Sequence, residues 1–378
     1  MKNSGFIAAR LVQVREARGL RQASLAMLSG LTRQSISNYE SGKQIPREEA
    51  IEQMAKALNI PEAFFFKPPP QADTPIFFRS FSGLTKLLRL QGKRLMEWLE
   101  EIYTHYSEYI DFPHVDIPQH NLGKNWANTH PREIDAIADS CRKYFEIGNA
   151  PISNLAHILE SHGVIMSRID LDSHEDGFSS WIDNGTRPAM VLSSEKRASC
   201  RDRLSQAHEL GHLVMHKDIV PDEKNIKTLE FQAYRFASSF LMPETGYSRD
   251  FSFPSLNVFR ALKQKWGVSI SAQIVRCSQL EIISDDTKRK LFINCSRKGW
   301  RTHEPLDDTI PLEPVVFLKK STELLINEGG FTKHSLIDTL GISVSDVSML
   351  VGLSTDYFKE TPLNNATAPK ILKFQPRQ

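Results

Sequence analysis

The stretch SQAHELGHLVMH, residues 205–216, sets His208, Glu209 and His212 in the order His-Glu-x-x-His. It contains no proline and its apolar residues recur at helical spacing, so it reads as a helix. Residues four apart on a helix lie one turn above each other, which lets both imidazoles reach one zinc ion at about 2.0–2.1 Å. Glu209 then projects beside them toward the metal's water, whose pKa zinc lowers toward ~7. Its carboxylate can take that proton as hydroxide attacks a peptide carbonyl, and can return one to the leaving amine. The chemistry indicated is that of a zinc-dependent endopeptidase, with Zn2+ as cofactor.

A catalytic zinc takes a third protein ligand and keeps one position open. The next helical stretch, LEFQAYRFASSFLMP (229–243), offers Glu230, with Ala233 and Ala237 small enough on the same face for close helix approach and Pro243 as a stop. Gln232 is a neutral and poorer alternative. His216 lies one turn past His212 and has two readings: a catalytic-site group that orients the centre or stabilises an oxyanion, or an ordinary helix-end histidine favoured by the C-terminal dipole. The second is the stronger on spacing alone. The extended HExxHxxGxxH pattern is absent, which excludes a metzincin.

Outward from this helix, residues 163–192 read as short strands (GVIMSRI, GFSSWI, PAMVL), and residues 131–160 and about 83–110 as helices. Phe178 to Ile182 is either an edge strand that pairs with an extended substrate or part of a core hairpin. Arg201 and Arg203 read as structural ion pairs in preference to substrate-carboxylate binders. The Phe64–Phe66 and Phe77–Phe78 clusters read as interdomain packing in preference to a base-stacking platform, and Trp98 and Trp181 as core.

At the other end, GLRQASLAMLSGLTRQSISNYESGKQIP (19–46) has the spacing of a helix-turn-helix: a helix over about 22–28, a turn at Ser29 and Gly30, and a second helix over about 33–40 capped by Thr32. Ile36 and Tyr39 then face the core, and Arg33, Gln34, Ser37 and Asn38 face outward. Arg suits guanine O6 and N7, and Gln or Asn suits adenine N6 and N7, in a major groove that admits one helix. Gln22, Arg21 and Lys43 are placed for phosphates. Residues 1–67 carry ten Lys and Arg against six Glu, so the basic excess sits at this end of a chain whose net charge is only +2.

RLVQVREARGLRQASLA, SISNYESGKQIP and AIEQMAKALNI together closely resemble the Xre, or lambda-repressor-like, helix-turn-helix family, with Arg21 standing where that family usually has a Ser or Thr cap. HELGHLVMH followed by ExxAxxFAxxxLMP resembles the ImmA/IrrE family of metallopeptidase-like proteins, and GWRTHEPLD resembles its longer phage and mobile-element members. This second resemblance implies that His208, His212 and Glu230 are zinc ligands and Glu209 the general base. It departs from the family at Tyr234, where many members have Asn.

The expected fold is α+β and mainly α-helical. A five-helix lambda-repressor-like DNA-binding domain (1–67) precedes a linker (68–82) containing KPPPQADTP, where proline forbids a helix. A zincin-like metallopeptidase domain with a small β-sheet and a leading helix (83–252), a helical C-terminal region (253–361) and a flexible tail (362–378) follow. No apolar run approaches ~20 residues and no secretory signal is evident, so a cytoplasmic protein without membrane contact is expected. The four cysteines form no CxxC pair and read as reduced and structural. The leading function is a transcription regulator that binds double-stranded operator DNA as a homodimer and cleaves a regulatory protein in a phage, mobile-element or stress setting; the resemblance implies helix-turn-helix repressors as targets, and a toxin is the other expected target. The alternative is a DNA-binding repressor or antitoxin whose zinc domain is a sensor or scaffold without proteolysis.

Overall fold

The computed structural model describes residues 5–70, 75–78, 86–171, 176–194 and 198–359. The expected helix start at 83–85 and the tail at 362–378 lie outside these residues.

The N-terminal unit begins with α1 (Ala8–Ala17) and continues through α2 (Gln22–Ser29), α3 (Arg33–Glu40) and α4 (Glu48–Leu58). Gly30, at φ 71°, makes the left-handed turn that ends α2, and the Thr32 hydroxyl accepts the Ser35 amide at 3.0 Å to start α3. A short 3-10 turn, Glu62–Phe66, takes the place of a fifth helix, since Pro68 to Pro70 follow directly and cannot continue it. Leu11, Val14, Leu25, Ile36, Met54 and Leu58 fill the small core that their spacing predicts.

Within the expected linker lies a strand, β1 (Ile76–Phe78). The long α5 (Lys86–Ser107) follows, then α6 (Pro131–Tyr144) and α7 (Leu155–Ser161). These last two replace the single helical stretch expected over 131–160, because Glu146 and Gly148 take φ of 56° and 61° and Pro151 closes the gap. Next come β2 (Ile165–Ile169), β3 (Gly177–Ile182) and β4 (Arg187–Ser193). The sheet order is β1-β3-β4-β2, with β2 and β4 parallel and the other pairs antiparallel. Since β1 and β4 flank β3, Phe178 to Ile182 is not an edge in this arrangement.

The sheet is the middle layer of the molecule. Alternation along each strand sends Ile165, Ile169, Phe178, Ile182 and Val191 to one face, where they join a core with α1, α5 and the N-terminal unit. Met166, Trp181, Met190 and Leu192 face the other way, onto α8 (Ser199–Met215) and α9 (Ile226–Leu241). Beyond α10 (Glu244–Asp250), the helices α11 (Leu256–Trp266), α12 (Ile270–Gln279) and α13 (Asp285–Arg297) extend that second core. The segment GWRTHEPLDD is not idle: the buried Glu304 carboxylate accepts the Ile270 and Ser271 amides at 2.7 and 3.0 Å at the start of α12 and pairs with buried Lys263 at 2.9 Å.

The chain then returns to the first core. In α14 (Phe317–Asn327), α15 (Lys333–Leu340) and α16 (Val344–Val351), Leu318, Leu325, Leu336 and Leu350 pack with it, and Arg18 of the N-terminal unit pairs with Asp346 at 2.7 Å. Residues 253–361 therefore split between the two cores. Trp98 and Trp181 are buried, and Phe64 meets Trp98 edge-on at 6.1 Å, tying the N-terminal unit to α5. All four cysteines are buried and unbridged. No helix among the described residues is long and apolar enough to cross a membrane.

Candidate metal centre and nucleic-acid interface

Helices α8 and α9 lie side by side because small residues line their contact. A Cβ at Gly211 would come within 3.0 Å of the Phe236 ring and 3.3 Å of the Ala233 backbone, so glycine is what permits the approach. The approach brings Glu230 onto the two histidines of the preceding helix. His208 Nε2 and His212 Nε2 are 3.1 Å apart, and the Glu230 oxygens lie 3.3 Å from each. Three donors around one ion at about 2.0–2.1 Å, set tetrahedrally, would be separated by roughly 3.3 Å. The spacing thus fits a zinc-sized cation, and these three residues form a group able to hold a metal.

The protons argue the same way. The Trp126 carbonyl can only accept, so the Gln232 amide NH2 donates to it at 2.6 Å and turns its oxygen to His216 Nε2 at 3.0 Å. His216 Nε2 therefore carries a proton. The ring is fully buried, and burial pushes its pKa well below 6.5, so it is neutral and its Nδ1 accepts. The partner of that Nδ1 is His212 Nδ1 at 2.9 Å, which must donate. His212 is left with a lone pair on Nε2, directed at Glu230 and His208. Glu230 brings a carboxylate to the same point, its two oxygens 3.3 Å from His208 Nε2 and His212 Nε2. A cluster of lone pairs and negative charge of this kind calls for a cation.

Glu209 is fully buried beside the cluster, and its Oε2 accepts the Ser179 hydroxyl of β3 at 2.6 Å. Tyr234 packs edge-on against His208 at 4.4 Å, and Phe77 of β1 stacks on His212 at 4.9 Å. Of these, Ser179, Phe77 and Trp126 were not singled out as site residues from sequence. Gln232, weighed there as a ligand, instead holds His216. Arg203 pairs with Glu313, and Arg201 donates to the carbonyls of Arg301 and Thr302 at 2.9 and 3.1 Å; both have structural roles in place of a substrate one.

Because His216 fixes the tautomer of His212, His216→Ala is expected to weaken zinc binding by roughly 10–100-fold, with His216→Asn recovering part of the loss. Competition against a chromogenic chelator measures this; an unchanged affinity would reduce His216 to a packing residue.

At the N-terminal unit, Arg33 and Gln34 are exposed at the first turn of α3, Ser37 and Asn38 are half-buried on the same helix, and Ile36 and Tyr39 are buried beneath. Gln34 donates to Asn38 at 3.0 Å, so the pair stands ordered side by side. Arg21 and Lys43 are exposed. Gln22 is tied inward by a 2.8 Å bond to Glu40, which also holds Arg15, so it anchors α2 to α3 within the unit. Arg21, at the N-cap of α2, makes no side-chain cap.

Residues 11–65 match the helix-turn-helix family, and residues 159–278 match the IrrE N-terminal-like domain family. Among curated relatives, the HTH-type transcriptional regulators PuuR of Escherichia coli (strain K12) and of Shigella flexneri are each 35% identical over 66 residues, 18% of this chain and 36% of theirs. The chain thus spans about a third of the length of the curated relatives it matches. The second match ends inside α12, and α8 to α12 share one continuous core.

Proposed function

We propose that this chain, which joins a helix-turn-helix domain to an IrrE N-terminal-like domain, is a DNA-binding transcription regulator that cleaves a regulatory protein with its metal centre. The observation that carries the reading is the convergence of His208, His212 and Glu230, with Glu209 held alongside by Ser179. Zinc held by these three residues would supply Lewis acidity toward water and a peptide carbonyl. The chain's own residues do the rest. Glu209 takes a proton from the attacking water and passes it to the departing amine, and Ser179 aims the carboxylate. His216 and Gln232 keep the His212 lone pair on the metal side, and the surrounding apolar packing excludes bulk water. A helix-turn-helix repressor or a toxin is the proposed protein target.

For DNA, α3 is the reading helix: Gln34 and Asn38 face adenine edges, Arg33 faces guanine, and Arg21 and Lys43 approach phosphates. A homodimer on a two-fold operator doubles the bases read. Gln34→Ala and Asn38→Ala are each expected to reduce the preference for operator over random DNA by roughly 5–150-fold, corresponding to about 1–3 kcal/mol for a bidentate contact. Selection from a random pool followed by competition binding measures this, and unchanged discrimination would remove α3 from the interface. For the peptidase, the test is cleavage of a protein by the zinc-loaded chain that stops with a chelator and resumes when zinc is restored.

The full burial of His208, Glu209 and His212 favours a second reading, in which the centre is a structural or sensing site and the chain regulates by DNA binding alone. Zinc without Glu209-dependent cleavage would select it.

A further inference from the structure

A peptidase must bring a backbone carbonyl into contact with its general base, yet His208, Glu209 and His212 have no exposed surface. What lies over them is a piece of this chain. The Phe77 ring stacks on His212 at 4.9 Å, 16° from parallel, and meets His216 at 6.1 Å. It is 1% exposed.

Phe77 is placed there by strand pairing. In the antiparallel register, Ile76 opposes Ser180 and Phe77 opposes Ser179. Residues opposite each other across a ladder share a face, so position 77 shares the face of Ser179, whose hydroxyl holds Glu209. Ser180, on the opposite face, donates its hydroxyl to the Pro75 carbonyl at 2.8 Å. Among the described residues, β1 is an outer strand of the sheet and three residues long. Without it, β3 would offer a row of unpaired backbone groups beside the metal centre, which is how sheet edges recruit extended peptides.

We infer that Pro75–Phe78 occupies, in cis, the peptide-binding edge of the metal centre, and that the substrate is an extended segment presenting a large aromatic side chain opposite Ser179. The inference rests on the peptidase reading above and adds to it the class of substrate and the occupant that must leave first. Main-chain pairing to β3 gives the substrate its alignment, and the slot over His212, shaped around a phenyl ring, gives it selectivity. The resting chain is then self-inhibited, and cleavage begins only when β1 is exchanged for the target.

The test uses full-length, zinc-loaded protein carrying Glu209→Gln, so that nothing bound is consumed. A fluorescein-labelled peptide TPIFFR, copied from residues 74–79, and its analogue TPIGFR are titrated by anisotropy. Adding Phe77→Ala is expected to tighten TPIFFR binding at least ten-fold, and the analogue should bind that variant at least ten-fold more weakly. Ile76→Pro, which removes a strand amide, is expected to act like Phe77→Ala, with circular dichroism reporting that each variant is folded. Equal affinity of TPIFFR for the parent and both folded variants overturns the inference, as does equal affinity of the two peptides. The peptidase reading fails separately. With Glu209 restored, a Phe77→Ala chain that binds the peptide yet cleaves no protein keeps the edge site and refutes proteolysis. A protein cut equally fast by wild type and Phe77→Ala supports proteolysis and refutes self-inhibition.

Discussion

His208→Ala is expected to abolish stoichiometric zinc, weakening affinity by at least about a thousand-fold while leaving the helical content intact. The magnitude follows from sharing the roughly 10–16 kcal/mol of a protein zinc site among its few ligands, so that losing one costs several kcal/mol. The fold should survive, because the imidazole sits between helices already held by Ala233, Phe236 and Gly211 and by the sheet beneath them. Removing His208 also relieves part of the crowding of lone pairs around Glu230, so the metal-free variant should be no less stable than the metal-free parent by more than about 2 kcal/mol. Elemental analysis after dialysis against a weak chelator, with thermal unfolding in parallel, gives both numbers. One zinc per chain retained by His208→Ala would mean that the metal is held elsewhere.

Glu209→Gln is expected to do the reverse: zinc stays and cleavage falls by about 10²–10⁴-fold, the usual worth of a positioned general base. Gln is nearly isosteric and can still receive the Ser179 hydroxyl through its amide oxygen, so the local packing is preserved. The two substitutions therefore separate holding the metal from using it. Loss of zinc in Glu209→Gln would make Glu209 a ligand, and undiminished cleavage would place the base on another residue.

How much of this was legible beforehand depended on whether a signal is local. The four-residue spacing of His208 and His212, the Thr32 cap and the Gly30 turn are properties of a few consecutive residues, and the structure has each in the expected element. Glu230 could be selected because Ala233 and Ala237 mark a helix face able to approach another closely. The alternation in GFSSWI could say that Ser179 and Trp181 share a face, but not that Glu209 lies opposite. The two readings of His216 stay open in the sequence for a similar reason. Its spacing suits an ordinary helix end, while its place in the hydrogen-bond chain depends on Gln232 and Trp126, distant in sequence. β1 was hidden by its own surroundings: three residues beside a proline run show no periodicity, and their pairing partner lies about a hundred residues away. The return of α14 to α16 to the N-terminal unit, sealed by Arg18 and Asp346, leaves no local trace at all.

The central claim is that this chain is a peptidase as well as a DNA-binding regulator. It is tested most directly by comparing new protein N-termini across the proteome of cells expressing the wild type or Glu209→Gln, at rest and under DNA damage. The account predicts a small set of new termini that require Glu209, with a large aromatic residue near each cut. An identical set of termini in both strains under both conditions, with zinc bound in each protein, would contradict it and leave a DNA-binding sensor.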